Sequence, residues 1–233
     1  MSSLNKVRLR DGTEVAISEW LHQPRYSVIE FGATDPVDLF MFNYVVGGIV
    51  SHSPTIAQRA ALQNDTNMVK RKAMNMDEAL IVMAITYELF GLSNVFANSG
   101  QAVAATPMIV SSDIKILQRD AVFELFVGAG IKKPQFQAPF EWIRQSIGSP
   151  AWVSGDAATP PTRVDYGTGG HISARNQELL KLPIYIGGFG QNARPGNSMF
   201  FQGRFYNAAG GGFNLRENVR ARFHLDGLAR RPA

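Results

Sequence analysis

From residue 218 to residue 225 the chain alternates without a miss. Val219, Ala221, Phe223 and Leu225 are apolar, while Asn218, Arg220, Arg222 and His224 are polar or basic. A period of two puts the four apolar side chains on one face of a strand and the basic ones on the other. Such a strand needs neighbours to pair with and a second layer to cover its apolar face, which points to antiparallel sheet. Glu217 interrupts the apolar set and reads as the exposed start. The rest of the chain agrees. It carries 22 glycines and 12 prolines with no period, so collagen and long coiled coils are excluded and many turns are expected. With 233 residues, 45% of them hydrophobic and 18% charged, it can build one sizeable core.

Other segments fill in a mainly β reading. Val7 to Arg10 and Thr13 to Ile17 flank Asp11-Gly12, a type I′ hairpin signal, with Val7, Leu9, Val15 and Ile17 on one face. Residues 26–31 form a short strand candidate. Asp35-Pro36 predicts the start of a short helix, with Val37, Phe40, Met41 and Tyr44 at helical spacing. A second short helix is expected over residues 54–62, and residues 64–75, with Lys70, Arg71 and Lys72, as a basic loop or arm. Residues 80–90 suit a buried helix, but Thr86, Tyr87 and the closing Phe90-Gly91 favour a strand. Further strands are expected at 109–110, 114–117, 121–127, 182–186 and 199–206, with a short helix at 140–147. Residues 91–107 and 154–170 read as long loops. About eight strands after residue 76, joined by loops of uneven length, suit a two-sheet sandwich with Greek-key crossovers better than an up-and-down barrel.

Chemistry is sparse. No cysteine is present, which removes disulfides, thiolate metal sites and cysteine catalysis. There is no phosphate-binding G-x-x-x-x-G-K-[ST] and no G-x-S-x-G elbow. His22, His52, His171 and His224 are too far apart in sequence for a zinc-binding helix, and only His224 and Asp226 have strand-type ligand spacing. Asp156, Asp165, Glu78, Glu88 and Glu124 give no glycosidase-like pair. No catalytic, cofactor-binding or metal-ligating residue is therefore assigned, and an enzyme is not expected. The N-terminus lacks an apolar core, so no signal peptide is expected. The most apolar stretch, residues 37–50, is shorter than the roughly 20 residues of a membrane span. The net charge of +4 matches the excess in residues 204–233, where six arginines face Glu217 and Asp226. Arg216, Arg220, Arg222, Arg230 and Arg231 could meet lipid, nucleic acid or an acidic neighbour, or form a solvated strand face.

The run 77–90, Asp-Glu-Ala-Leu-Ile-Val-Met-Ala-Ile-Thr-Tyr-Glu-Leu-Phe, looks like the first long strand of a viral jelly roll. The run 214–227 is similar to the last strand of such barrels, and residues 181–186 and 198–206 fall where paired inner strands would lie. In order and texture, roughly residues 66–233 resemble capsid proteins of tailless icosahedral bacteriophages, a lineage in which an internal membrane is common. The resemblance implies a single jelly-roll antiparallel β-sandwich over 66–233, with residues 1–65 as an arm carrying a hairpin and short helices. It also implies a structural virion protein that assembles with copies of itself and other capsid proteins, made in the host cytoplasm and residing in the virion. Two other functions stay open. One is a β-sandwich binding module for a carbohydrate or host receptor, using loops near 91–107 or 149–178 and Trp152. The other is a metal-dependent jelly-roll enzyme built on His224 or His171.

Overall fold

The computed structural model describes residues 6–8, 12, 14–16, 20–75, 78–91, 111–128, 133–145, 152–155, 164–167, 180–187, 199–216 and 218–230. The protein is mainly β, with two sheets packed as a sandwich. In chain order the strands begin with β1 (Lys6–Arg8), β2 (Glu14–Ala16), β3 (Leu21–His22), β4 (Arg25–Phe31), β5 (Asp38–Met41), β6 (Ser51–His52) and β7 (Ala79–Gly91). The helix α1 (Ser111–Asp120) leads into β8 (Ala121–Val127) and β9 (Phe136–Pro139). A 3₁₀ turn (Phe140–Trp142) precedes β10 (Arg144–Gln145), β11 (Trp152–Gly155), β12 (Val164–Gly167) and β13 (Ile184–Gly187). The long strands β14 (Phe201–Asn207) and β15 (Val219–Arg230) follow.

The first sheet runs β6-β4-β15-β7, and both β10 and β13 pair with the far edge of β7. β15 sits at its centre, antiparallel to β4 from Val219↔Phe31 to Leu225↔Arg25 and antiparallel to β7 along its whole length. The second sheet runs β5-β14-β8-β9, antiparallel throughout. Alternation sorts the faces as expected: on β14 and on β15 from Val219 to Leu225, every second residue is buried. Between the sheets lies a core rich in rings. Phe123 and Phe223 stack at 4.9 Å across the two sheets, Phe205 lies 5.4 Å from both Phe140 and Phe223, and Tyr87 sits on Phe140 at 3.9 Å. Such ring pairs add about 0.5–1.5 kcal/mol each beyond the area they bury. Gly203 leaves room for them, since a Cβ there would press on Phe123 and Met41.

The strand reading of residues 80–90 holds, and its irregular pattern has a physical cause. The pairing with β15 shifts from Asp226↔Ala84 to Gly227↔Val82, so Met83 is an extra residue on β7. Before this bulge Leu80 and Val82 point into the core, and after it Ile85 and Tyr87 do. One extra residue thus flips the parity of the buried set. Gly227 permits the close approach, because a Cβ there would overlap the Ile81 carbonyl oxygen.

Several expected elements are corrected. Residues 38–41 form β5 instead of part of a helix. Leu39 and Met41 face inward while Asp38 and Phe40 face out, so a period of two wins over the helical spacing. Asp35 does not cap a helix; its carboxylate accepts hydrogen bonds from the Ser53 hydroxyl and from the Thr55 N–H and hydroxyl. Residues 54–62 are turns held by backbone bonds such as Gly47 N–H to Ala61 O, 2.8 Å. Residues 114–117, expected as a strand, lie in α1, where Asp113 and Arg119 suit the two ends of the helix dipole. The helix expected at 140–147 is a three-residue 3₁₀ turn followed by extended Ile143. It carries the chain from the edge of one sheet to the edge of the other and buries Phe140 as it crosses. β4 and β5 belong to the two sheets, with Ile29, Phe31, Leu39 and Met41 in the shared core.

The N-terminal hairpin forms with a different loop. Val7 pairs with Val15 and Arg8 with Glu14, which leaves an odd number of residues between the strands. A two-residue Asp-Gly turn would pair Arg8 with Val15 and put Val7 and Val15 on opposite faces. Gly12, between the two strands, takes a positive φ of 83°.

Candidate functional site

The outer face of the first sheet is covered at both ends. At one end Val7 and Trp20 from the N-terminal segment, together with Met83 and Leu228, pack on Ala79, Ile81 and Tyr185. At the other, the connection from β5 to β7 folds over β4, where Val28 is buried with Tyr44, Val50 and Ala61. The Tyr44 hydroxyl donates to the Val28 carbonyl, and burial pushes its pKa up to about 12. This connection is fastened by charge. Arg59 donates to Glu30 Oε1 from Nε (3.0 Å) and Nη2 (2.6 Å), and to both oxygens of Asp65 (2.6 and 2.8 Å). Arg220 Nε reaches the same Glu30 oxygen at 2.7 Å. Burial works against the charge on Asp65, but bonds from Arg59 and the Leu62 N–H outweigh it and hold the carboxyl below its usual range.

Between the two covers, β15 shows its basic face. Arg222 pairs with Glu88 at 3.0 Å, His224 Nε2 lies 3.3 Å from the other Glu88 oxygen, and Thr86 donates to Asp226 at 2.8 Å. The ring of Tyr26 lies 5.9 Å from both the Arg222 guanidinium and the His224 ring. The tail arginines are thus largely engaged. Arg220 and Arg222 are about three-quarters buried and each binds a carboxylate. Arg216 is exposed and its backbone N–H donates to Asp113 at 2.9 Å. Arg230 ends β15, and Arg231 lies outside the described residues.

The outer face of the second sheet carries its own lattice. Arg204 grips Asp38 with two bonds (2.7 and 2.9 Å), approaches Glu124 at 3.5 Å and lies 4.5 Å above the Tyr206 ring. The Tyr206 hydroxyl donates to Glu124 at 3.1 Å. The bonds from Arg204 hold the Asp38 carboxyl below its usual range. In the sequence Arg204 and Tyr206 fall at alternating positions of one strand candidate and Glu124 in another, and only the pairing of Arg204 with Glu124 brings them together.

The remaining candidates are dispersed. His22 is exposed on β3, His52 is half-buried, and His171, Asp156 and the side chains of Trp152 and Asp165 lie outside the described residues. Glu78 is bound by Arg25 at 2.9 Å. Among the described residues no three His, Asp or Glu side chains come close enough to hold a metal ion, and no helix is long and apolar enough to cross a membrane.

What the surface offers instead is apolar. Leu21, Phe40, Val46, Ile49, Leu62, Val69, Trp142, Leu182 and Phe200 are all exposed. Val46, Ile49 and Leu62 all lie on the cover over β4, where Ile49 bridges to Ala60 and the Gly47 N–H donates to Ala61 O. Trp142, at 71% exposure the most open of the set, stands on the 3₁₀ turn with its indole N–H on Glu141. Comparison of the chain with family models, with curated proteins and with solved structures gave no match.

Proposed function

We propose that this chain is a single jelly roll and serves as a structural subunit, a capsid protein of a tailless icosahedral bacteriophage. The observation that carries the reading is the strand order. With the eight principal strands taken in sequence, one sheet pairs the first, eighth, third and sixth (β4, β15, β7, β13) and the other the second, seventh, fourth and fifth (β5, β14, β8, β9). Two nested Greek keys produce this order, and shell proteins are among their users. The surface supports an assembly role. Most arginines of the two outer sheet faces are already bound to carboxylates, while large apolar side chains stand in water on the connections. A contact between copies would remove those side chains from water. The partners are then copies of this chain and other shell proteins, and the place of action is the virion. Light scattering after size-exclusion chromatography, with negative-stain images of the same fractions, tests this. Rings, closed shells or discrete oligomers are expected; a monomer under every assembly condition overturns it.

A second reading, a binding module for a carbohydrate, is favoured by Trp142 alone, because an indole this open is a ready stacking platform. A glycan array comparing the protein with Trp142→Ala separates the two. Loss of a specific glycan signal supports the module, and an empty array with oligomers present supports the shell.

A further inference from the structure

Lys70, Arg71 and Lys72 form the tip of a tight turn closed by a Lys70↔Ala73 bridge, and all three side chains are exposed. Arg25, Arg59, Arg119, Arg204, Arg220 and Arg222 each hold a carboxylate. None of the three tip cations has an ion-pair partner among the described residues.

The turn is also built firmly. The Lys72 N–H donates to Phe42 O at 2.7 Å, and its carbonyl accepts from the Phe201 N–H at 2.9 Å. Lys72 has a φ of +55° at the third position of the turn, a place that favours glycine or asparagine. A lysine is held there against its backbone preference, and its charge points outward with its neighbours'. Beside the cations, Val69 is 64% exposed, and Phe200, across the Ala73↔Phe200 bridge, is 45% exposed.

We infer that this tip is a docking point for an anionic lipid surface. Cations meet the phosphate headgroups while Val69 enters the apolar boundary just beneath them. The shape decides against a nucleic acid strand as the partner. A single convex turn offers no groove to track a phosphate chain past the one ring beside it, Phe200. The inference does not depend on the shell reading, since a monomer can bind a vesicle and a shell can ignore one.

The test uses the full chain and co-sedimentation with phosphatidylcholine vesicles, with and without about one third phosphatidylglycerol. Binding is expected only where phosphatidylglycerol is present, and it should weaken steeply as salt rises. Each cation at an anionic surface contributes about fivefold, so K70E/R71E/K72E should bind at least about 100-fold more weakly. Val69→Ser should lose several-fold while keeping the salt dependence, and both variants should keep the wild-type melting temperature. The inference is overturned if the triple variant binds as the wild type does or if neutral vesicles bind equally well. It is overturned equally if single-stranded DNA outcompetes the vesicles and Val69→Ser changes nothing, an outcome that assigns the tip to nucleic acid.

Discussion

Arg59 shows how much one side chain can hold. Its guanidinium lies between Glu30 and Asp65, whose side chains are only 2% and 5% exposed. Arg59→Ala leaves two buried carboxylates short of a partner, and the expected loss is about 3 kcal/mol or more, read from urea unfolding. Conservative Arg59→Lys should recover only part of it, because an ammonium cannot fork across two carboxylates. Lys72 predicts the opposite sign. Lys72→Gly relieves a left-handed backbone and should raise stability by about 0.5–1 kcal/mol in the same assay. A gain in stability with a weaker grip on anionic vesicles would show that the tip trades one for the other.

At the scale of the element, the β7 bulge is the most sensitive point. Gly227→Ala drives a methyl group into the Ile81 carbonyl, so β15 and β7 must part there. Hydrogen exchange should then speed up at residues 79–84 and 226–230 first, with a stability loss of about 2 kcal/mol or more. The same bulge explains what could be read from the amino-acid order. β14, and β15 as far as Leu225, keep a clean period and are legible as strands, while β8 is legible through its run of apolar and aromatic residues. β7 was readable only through its residue types, because Met83 breaks its alternation. β5 was hidden, since Val37, Phe40, Met41 and Tyr44 imitate a helix and only the partner strand β14 decides between them. The polar lattices were hidden for a related reason. Glu30, Arg59, Asp65 and Arg220 lie far apart in sequence, and it is the sheet and its cover that bring them together.

For the whole molecule, acid is the expected weakness. Asp35, Asp38 and Asp65 are all held below their usual pKa of 3.8: the first by the Ser53 and Thr55 hydroxyls, the second by Arg204, and the third by Arg59 and the Leu62 N–H against the cost of burial. Their folded-state pKa values lie below the unfolded ones, so they stabilise the fold above that value. The contribution is lost as pH falls below 3.8 through the folded values, when each must take up a proton. The melting temperature should therefore be level near neutrality and drop in that acid range. Asp65→Asn should flatten part of the drop, whereas Asp38→Asn should matter less, since the side chain of Asp38 is 55% exposed.

The central place of β15 sets a timetable for the ribosome. Phe31 of β4 waits for Val219 as its partner, and β7 waits for the same strand. At ordinary translation speeds of about 5–20 residues per second, β4 stays without that neighbour for roughly ten to forty seconds. During that interval nascent chains present two open strand edges to one another in the crowded space around a polysome. A nonsense codon anywhere before residue 219 removes the partner of both strands and is expected to yield only degraded or aggregated product.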